Sequence, residues 1–372
     1  MQLLQLVQDQ VRLGIPLPWG IRDAHGKLLL ARGQVLTDPG QLATLLTRGA
    51  FVDEEEMKAA RRREADTPSE NPFGLWEHLS LRLAHVLRSS SSEPRFPDRI
   101  AELARQLVTL ARQDADIGIY LILRQDPNRH ALYGVTHSVH AALVSLLMAQ
   151  RLGWDEARIS TLVRAALTMN IAMIDLQGRL AAQALPLTES QRALVQGHPM
   201  AGVEMLRAAG VDDAEWLRAV GEHHEQPSGA GYPLALQEVS EPARLLHQAD
   251  VFTARISARA GRPALPANHA ARELFIEGQG DALAAALIKE FGIYPPGCFV
   301  KLQSGETAVV VRRGANASAP LVACLTNRTS DALVDPVRRD TSQREFAIVG
   351  IVPDKDVLVR LPAEKLYGFK PL

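Results

Sequence analysis

The chain has 372 residues, of which 47% are hydrophobic and 22% charged, an ordinary composition for a globular protein with room for two or three domains. Its formal net charge of −1 provides no broad basic field, so we expect neither a nucleic-acid partner nor an anionic membrane partner. The two cysteines, Cys298 and Cys324, exclude a disulfide framework and a cysteine-based zinc site. The chain lacks a basic leader and an uncharged apolar run of about 20 residues, so we expect a cytoplasmic protein without membrane insertion.

Residues 1–52 are predicted to form a small β-rich module. Two short strands are expected within residues 16–30, around a turn at Asp23-Ala24-His25-Gly26, and a helix is expected from Asp38 to Arg48. Residues 53–75 follow as blocks of like charge and then Pro, Ser and Asn, which is typical of a solvated linker.

Residues 76–293 are predicted to form one helical domain, because apolar residues recur there with a period of 3.6. Two or three helices are predicted between Trp76 and Gln125, followed by helices at Tyr133–Leu152 and Asp155–Thr168. A helix that starts at Thr188 is expected to break at His198-Pro199, and the next helix is expected to end at Gly210. Asp212 or Asp213 is expected to cap a further helix, and the last long helix is expected to start at Pro242.

Residues 294–372 are predicted to form a β-rich extension, because the apolar period changes to two. The expected strands are a hairpin of Phe299–Leu302 with Thr307–Val311, then Leu321–Leu325, Phe346–Val352 and Val357–Leu361. The fold class is therefore mainly α, an all-helical domain flanked by small β-rich segments at both ends.

Candidate metal ligands are spread along the helical domain. His223 and His224 end a predicted helix and precede a loop containing Gly229 and Gly231, whose glycines permit unusual backbone angles. His137, His198 and Asp250 complete five ligand-type side chains from four helices, which is how helical bundles build internal metal sites. The alternative is a helix end with histidines that complement the dipole, and core histidines elsewhere.

The order and spacing of these residues, with the motif His223-His224-Glu225…Gly229-x-Gly231-Tyr232-Pro233, resemble the HD-GYP family of helical metal-dependent phosphodiesterases that cleave cyclic di-GMP. The likeness covers roughly residues 133–262 and implies an HD-type helical fold. It implies that His137, His198, His223, His224 and Asp250 are metal ligands. It also implies that Arg259 and Arg262 face the dinucleotide's phosphates, for which guanidinium forks are suited, although a solvated helix end is the alternative.

The chain departs from the family pattern where active members have His-Asp-x-Gly-Lys. Met169 replaces the ligand histidine, Asn170 replaces the aspartate that bridges two metals, and Met173 replaces the lysine. Tyr133 stands where trinuclear members have glutamate, and Thr253 where aspartate is common. A neutral amide does not replace a carboxylate that bridges two dications about 3.5–4 Å apart. We therefore expect no catalytic residues at these positions, and one divalent ion such as iron or manganese, or none.

Three functions remain open from the sequence. The first is a catalytically impaired protein of cyclic di-GMP signalling that acts as a nucleotide receptor or protein-interaction module, with a protein partner at the Gly229–Pro233 loop or at the β-rich ends. The second is a weakly active metal-dependent phosphodiesterase. The third is a structural scaffold that works through its β-rich ends. A homodimer is also expected from the resemblance.

Overall fold

A computed structural model describes residues 3–5, 17–34, 39–47, 49–57, 71–126 and 129–369. Within the predicted linker, residues 58–70, which include the Arg61-Arg62-Arg63 run, lie outside the described residues. The chain divides into two compact units, Met1–Ser69 and Glu70–Leu372.

The first unit is a four-stranded antiparallel sheet with one helix. Its elements are β1 Leu3–Gln5, β2 Ile21–Arg22, β3 Leu28–Leu30, α1 Pro39–Thr47 and β4 Phe51–Asp53, and the strand order is β1-β4-β2-β3. The predicted hairpin is confirmed, with Ile21 opposite Leu30. Trp19, Ile21 and Val52 lie in its small core, and Arg22 forms an ion pair with Glu56 at 2.8 Å.

The second unit begins with the predicted helical region. Its helices are α2 Pro72–Arg88, α3 Phe96–Leu123, α4 Tyr133–Arg151, α5 Glu156–Thr168, α6 Ile174–Ala181, α7 Glu189–Ala208, α8 Ala214–Glu222, α9 Glu241–Ile256, α10 Ala267–Glu277 and α11 Ala282–Phe291. Asp155 and Asp213 cap α5 and α8 with their side chains, where the sequence predicted a helix start at Asp155 and a cap at Asp212 or Asp213. The mainly α class with flanking β segments is confirmed.

Helix α4 is the centre of this unit. It is buried over most of its length and packs against α5, α6, α9 and α11, so residues on its different faces meet several helices. The stretches His130–Arg151 and Glu156–Ala181 are long and apolar enough to cross a membrane, but 78% and 72% of their most apolar windows are buried inside the fold. Both therefore have the environment of core helices.

Helix α7 corrects one sequence prediction. The expected break at His198-Pro199 does not occur, and α7 continues through Pro199 to Ala208. A proline removes one backbone donor, but Pro199 is itself buried, and packing of Val203 and Leu206 holds the second half of the helix in line.

The C-terminal part is a five-stranded antiparallel sheet. Its strands are β5 Phe299–Leu302, β6 Thr307–Arg312, β7 Leu321–Thr326, β8 Ala332–Asp340 and β9 Ile348–Ile351, in the order β8-β7-β6-β5-β9, and α12 Ala363–Tyr367 follows. Val309 and Leu325 join the core of the helices, so this sheet and the helical region share one core. The predicted hairpin is confirmed.

Two predictions for this sheet are wrong. Val357–Leu361 is not a strand, although its residues alternate, because Val357 packs into the helical core and the segment pairs with no described strand. Strand β8 was not predicted, since its pattern is mixed; it is an edge strand with a proline and many exposed side chains, as edge strands tolerate.

Candidate functional site

Three histidines form a compact cluster inside the helical region. His198 lies on α7, and His223 and His224 directly follow α8; one ring nitrogen from each lies within 4.8 Å of the other two. The Nε2 atoms of His198 and His223 are only 3.1 Å apart. In the described part of the chain this is the one such group of histidine, cysteine or carboxylate ligands.

The backbone fixes which nitrogen of each ring carries the proton. His198 Nδ1 lies 2.6 Å from the carbonyl oxygen of Val195, and His223 Nδ1 lies 2.6 Å from that of Val220. Because a carbonyl only accepts hydrogen bonds, both Nδ1 atoms must be N–H donors. Both Nε2 atoms of the neutral rings then carry lone pairs that point toward one another.

The carbonyls of Val195 and Val220 are free to accept these hydrogen bonds because neither has a helical N–H partner. In an α-helix the Val195 carbonyl would accept from the amide of residue 199, but Pro199 has no N–H. Val220 belongs to the last turn of α8, whose carbonyls lack helical partners. An interior proline and a helix end thus orient the two imidazoles.

A cation is what this arrangement fits. Burial lowers the pKa of His198 and of His223, and lowers the pKa of His224 to about 3, so a proton shared between the rings is disfavoured. Imidazole nitrogens bind zinc-like ions at about 2.0–2.1 Å, so two ligands of one ion lie about 3.0–3.4 Å apart. The observed 3.1 Å between the Nε2 atoms matches one shared divalent ion.

The loop after His224 is held by a buried carboxylate. Glu225 is 1% exposed and accepts hydrogen bonds from the amides of Leu234 at 2.6 Å and Leu236 at 2.9 Å. This closes residues 225–236 into a compact loop beside the cluster. Among the described residues, Glu225 is thus already engaged by the backbone and is not a member of the histidine group.

Gly231 and Tyr232 explain the glycine motif. A Cβ atom on Gly231 would lie 2.4 Å from the amide nitrogen of Gln226, so only glycine fits. The ring of Tyr232 stacks on His224 with centroids 4.6 Å apart, and the Tyr232–Pro233 peptide bond is cis. The loop therefore covers one side of the cluster with an aromatic ring.

His137 and Asp250, the other two predicted ligands, contact each other. His137 Nε2 lies 2.6 Å from Asp250 Oδ1, and both side chains are buried between α4 and α9. Burial acts to raise the pKa of Asp250, but the hydrogen bond from His137 and the nearby imidazoles outweigh it and hold that pKa below its usual range. Asp250 is therefore a carboxylate.

The substituted motif is buried and carries neutral side chains. Met169 is 0% exposed and Asn170 is 1% exposed, and neither atom of the Asn170 amide has a hydrogen-bond partner among the residues that the structure describes. Met173 is also buried. Unpaired buried amides are rare and costly.

Arg259 and Arg262 lie in the turn after α9. Arg259 Nε donates to the hydroxyl of Tyr133 at 3.0 Å, and its guanidinium lies 5.1 Å from that ring's centroid. The Tyr133 ring in turn stacks on His137 at 5.8 Å. Arg262 donates to the carbonyl of Ala254. Arg259 therefore lies next to the histidine and carboxylate pair, whereas Arg262 is tied to the backbone.

Sequence reasoning did not assign roles to three contributors. Glu225 closes the loop, Pro199 frees a carbonyl, and His247 Nδ1 donates to the carbonyl of His223 at 2.9 Å. In the sequence, Glu225 directly follows His224 and Pro199 directly follows His198, so both could have been identified from their position next to a predicted ligand. His247 lies three positions before Asp250 and so shares its helix face, which is a weaker signal.

The sequence and the fold of the helical region are similar to those of known HD-domain proteins. The HD domain profile matches residues 126–279. A solved HDG"Y"P protein from Bdellovibrio bacteriovorus superimposes with a TM-score of 0.54 at 16% identity, covering 77% of this chain and 99% of that one, which shows the shared fold. Residues 126–279 of the helical region therefore match an HD domain.

Three curated relatives of the chain are named as phosphodiesterases of cyclic dinucleotides. The chain is 29% identical over 186 residues to a cyclic di-GMP phosphodiesterase of Pseudomonas aeruginosa, covering 49% of this chain and 45% of the relative. It is 32% identical over 123 residues to the response regulator RpfG of Xanthomonas campestris, a cyclic di-GMP phosphodiesterase, covering 31% and 32%. It is 30% identical over 140 residues to a 3'3'-cGAMP-specific phosphodiesterase of Vibrio cholerae, covering 37% and 30%.

These matches span less than half of each relative's length. The HD domain at residues 126–279 and the Gly229–Pro233 loop make this part of the chain similar to HD-GYP proteins, and the relatives with which it aligns are named as cyclic dinucleotide phosphodiesterases.

Proposed function

We propose that this protein binds cyclic di-GMP without hydrolysing it, and acts in cyclic di-GMP signalling as a receptor or interaction module. The observation that carries the proposal is the buried pair Met169 and Asn170, two neutral side chains at the family's His-Asp positions. The rest of the site is retained around them, including the three-histidine cluster and the closed loop.

Hydrolysis is impaired for an electrostatic reason. Cleavage of a phosphodiester by a two-metal site needs ligands that hold two dications about 3.5–4 Å apart and so supply hydroxide at neutral pH. A thioether and an amide bring no negative charge to that position. Met173 also supplies no proton or cation to the leaving oxygen, a contribution of about 10²–10⁴-fold.

One divalent ion is part of the proposal. His198, His223 and His224 offer three neutral nitrogens at the spacing of a single ion, whereas the Met169-Asn170 side offers no anionic ligand. This ion would polarise a phosphate oxygen of the bound nucleotide. The residues of this chain then orient that nucleotide and keep it intact.

Nucleotide recognition is assigned to Arg259. Its Nε is anchored on Tyr133, which leaves the two terminal nitrogens of the guanidinium to face a phosphate as a fork. Arg262, in the same turn, adds positive charge. The relatives' names support a cyclic dinucleotide containing guanine, and among these cyclic di-GMP is the ligand we propose.

The test is isothermal titration of the full-length protein with cyclic di-GMP. We expect a Kd in the micromolar range or tighter, and a loss of affinity by at least tenfold in Arg259→Ala. The matched control is Arg272→Ala, an exposed arginine on α10. Binding weaker than the micromolar range would defeat the receptor proposal, and tighter binding of 3'3'-cGAMP would change the ligand.

A slow hydrolase is the second candidate, because the three-histidine cluster is intact. The combined substitution Met169→His, Asn170→Asp and Met173→Lys would restore the missing ligand types in place. Chromatography of the nucleotide products should then reveal a strong rise in rate and binding of a second metal equivalent. If the rate does not rise, the frame of the active site is itself no longer competent.

A further inference from the structure

We infer that the site takes one divalent ion through three imidazole nitrogens alone, with Asp250 and His137 outside the coordination shell, so that it selects a zinc-type ion over manganese or magnesium. This rests on the single-ion site proposed above. It departs from the expectation that all five residues are ligands, and it names the class of ion.

Two of the carboxylates near the cluster are already engaged. Glu225 is bound by two backbone amides, and Glu222 accepts from the amide of Ser240 at 2.8 Å and from Arg218 at 2.7 Å. Both acids therefore already have their hydrogen-bond partners. Neither belongs to the group of side chains whose ligand atoms lie within 4.8 Å of one another.

Asp250, the remaining acid, is paired with His137. Its Oδ1 lies 2.6 Å from His137 Nε2, a distance typical of a strong, charge-assisted hydrogen bond. That contact uses the nitrogen with which His137 would coordinate an ion facing Asp250. Asp250 and this nitrogen of His137 thus satisfy each other, whereas His137 Nδ1 has no hydrogen-bond partner among the described residues. Breaking a buried hydrogen-bonded pair costs more than breaking an ordinary surface contact.

Charge limits the number of ions that the site can hold. The only carboxylate that lies beside the imidazoles and is not engaged by the loop backbone is Asp250, among the residues that the structure describes. One carboxylate can offset one dication in part, and a second dication next to Met169 and Asn170 would be uncompensated in a buried site. The site therefore holds one ion.

The ligand set then determines the class of ion. Neutral imidazole suits zinc, nickel, copper and iron, whereas manganese and magnesium prefer carboxylates, carbonyls and water. Three nitrogens leave a fourth position open, as in three-histidine zinc sites. A three-nitrogen shell predicts an ion of the zinc type with an open position toward the nucleotide.

The test is metal binding by the full-length protein, freed of metal by a chelator, with Zn²⁺, Co²⁺ and Mn²⁺ titrated separately. We expect one equivalent of Zn²⁺ and at least 1,000-fold weaker Mn²⁺. His223→Gln should weaken Zn²⁺ binding by at least 100-fold, and Asp250→Asn by tenfold or less, because its partner His137 is not a ligand of this ion. The matched control is His269→Gln, an exposed histidine on α10.

Cobalt keeps the test decisive if Asp250→Asn does not fold. X-ray absorption of the wild-type protein loaded with Co²⁺ should show three imidazoles and no protein carboxylate. Two bound equivalents, a carboxylate in the shell, equal losses in Asp250→Asn and His223→Gln, or Mn²⁺ within tenfold of Zn²⁺ would each overturn the inference. Failure of every ion to bind would overturn the proposed ion site as well, whereas nucleotide binding is measured separately.

Discussion

Replacing Pro199 by alanine should strengthen the fold and weaken metal binding at the same time. The new amide of residue 199 would donate to the Val195 carbonyl, as in any α-helix. His198 Nδ1, which now contacts that oxygen at 2.6 Å, would then have to share its only acceptor. His198 would lose the partner that fixes its tautomer and orientation.

The two effects have different sizes. A proline inside a helix costs about 3 kcal/mol relative to alanine. Loss of two buried ring methylenes costs about 0.8 kcal/mol each, so the metal-free protein should gain about 1 kcal/mol of unfolding free energy. Removing the outer-shell partner of a ligating histidine typically costs about 10–100-fold in metal affinity.

Urea unfolding in chelator measures the first effect, and zinc titration measures the second. Pro242→Ala is the control, because Pro242 lies in the first turn of α9, where its missing N–H frees no carbonyl. Its zinc affinity should equal that of the wild type. The reasoning is refuted if Pro199→Ala gains stability while its zinc affinity stays within twofold of the wild type.

Three further outcomes follow from buried polar contacts. Glu225→Gln should lower the unfolding free energy, measured in urea, by about 2–4 kcal/mol, because one of two charge-assisted hydrogen bonds to the loop is lost. The control Glu238→Gln, at an exposed position, should change the unfolding free energy by less than about 0.5 kcal/mol. Equal changes in the two variants would contradict the role of Glu225 in closing the loop. Tyr133→Phe should weaken cyclic di-GMP binding several-fold by titration calorimetry, since Arg259 Nε loses its anchor, and unchanged affinity would show that the anchor does not position the fork. Burial acts to raise the pKa of Glu306, but hydrogen bonds from Arg339 and Ser304 outweigh it and hold that pKa below 4.5. The ionised Glu306 therefore contributes its full stabilisation of the fold above pH 4.5, and this contribution is lost as the pH falls through the lowered pKa. Glu306→Gln should therefore destabilise the protein at pH 7 and progressively less toward pH 3.5 in urea unfolding, and a cost that grows on acidification would contradict this sign.

Local chemistry made part of the fold predictable. Asp155 and Asp213 precede apolar helical repeats, and a capping side chain needs only the amides two or three residues ahead. The hairpin of β5 and β6 was predictable for the same reason, since Ser304-Gly305 forms its turn between alternating strands. These features depend on neighbours in the sequence.

The missed features depend on tertiary contacts. Helix α7 continues through Pro199 because Val203 and Leu206 pack the half that follows the proline, and β8 forms because β7 offers it an edge. Val357–Leu361 alternates like a strand, yet its apolar side chains are used against the helical core. Alternation indicates two faces but not which surface covers them.

The candidate site divides in the same way. The residue types of the ligands were readable from the motif, and so were the neutral replacements Met169 and Asn170. The sequence could not indicate that His137 and Asp250 contact each other, because they are 113 positions apart. Nor could it indicate that two Nε2 lone pairs meet at 3.1 Å, which depends on the backbone carbonyls beside them.

The most direct test of the central claim follows one sample for both binding and turnover. Zinc-loaded protein is equilibrated with cyclic di-GMP by dialysis, and the nucleotide is then analysed by chromatography after several hours. We predict a Kd in the micromolar range or tighter, with the cyclic dinucleotide recovered intact. Accumulation of linear dinucleotide or GMP, or an absence of bound nucleotide, would contradict it.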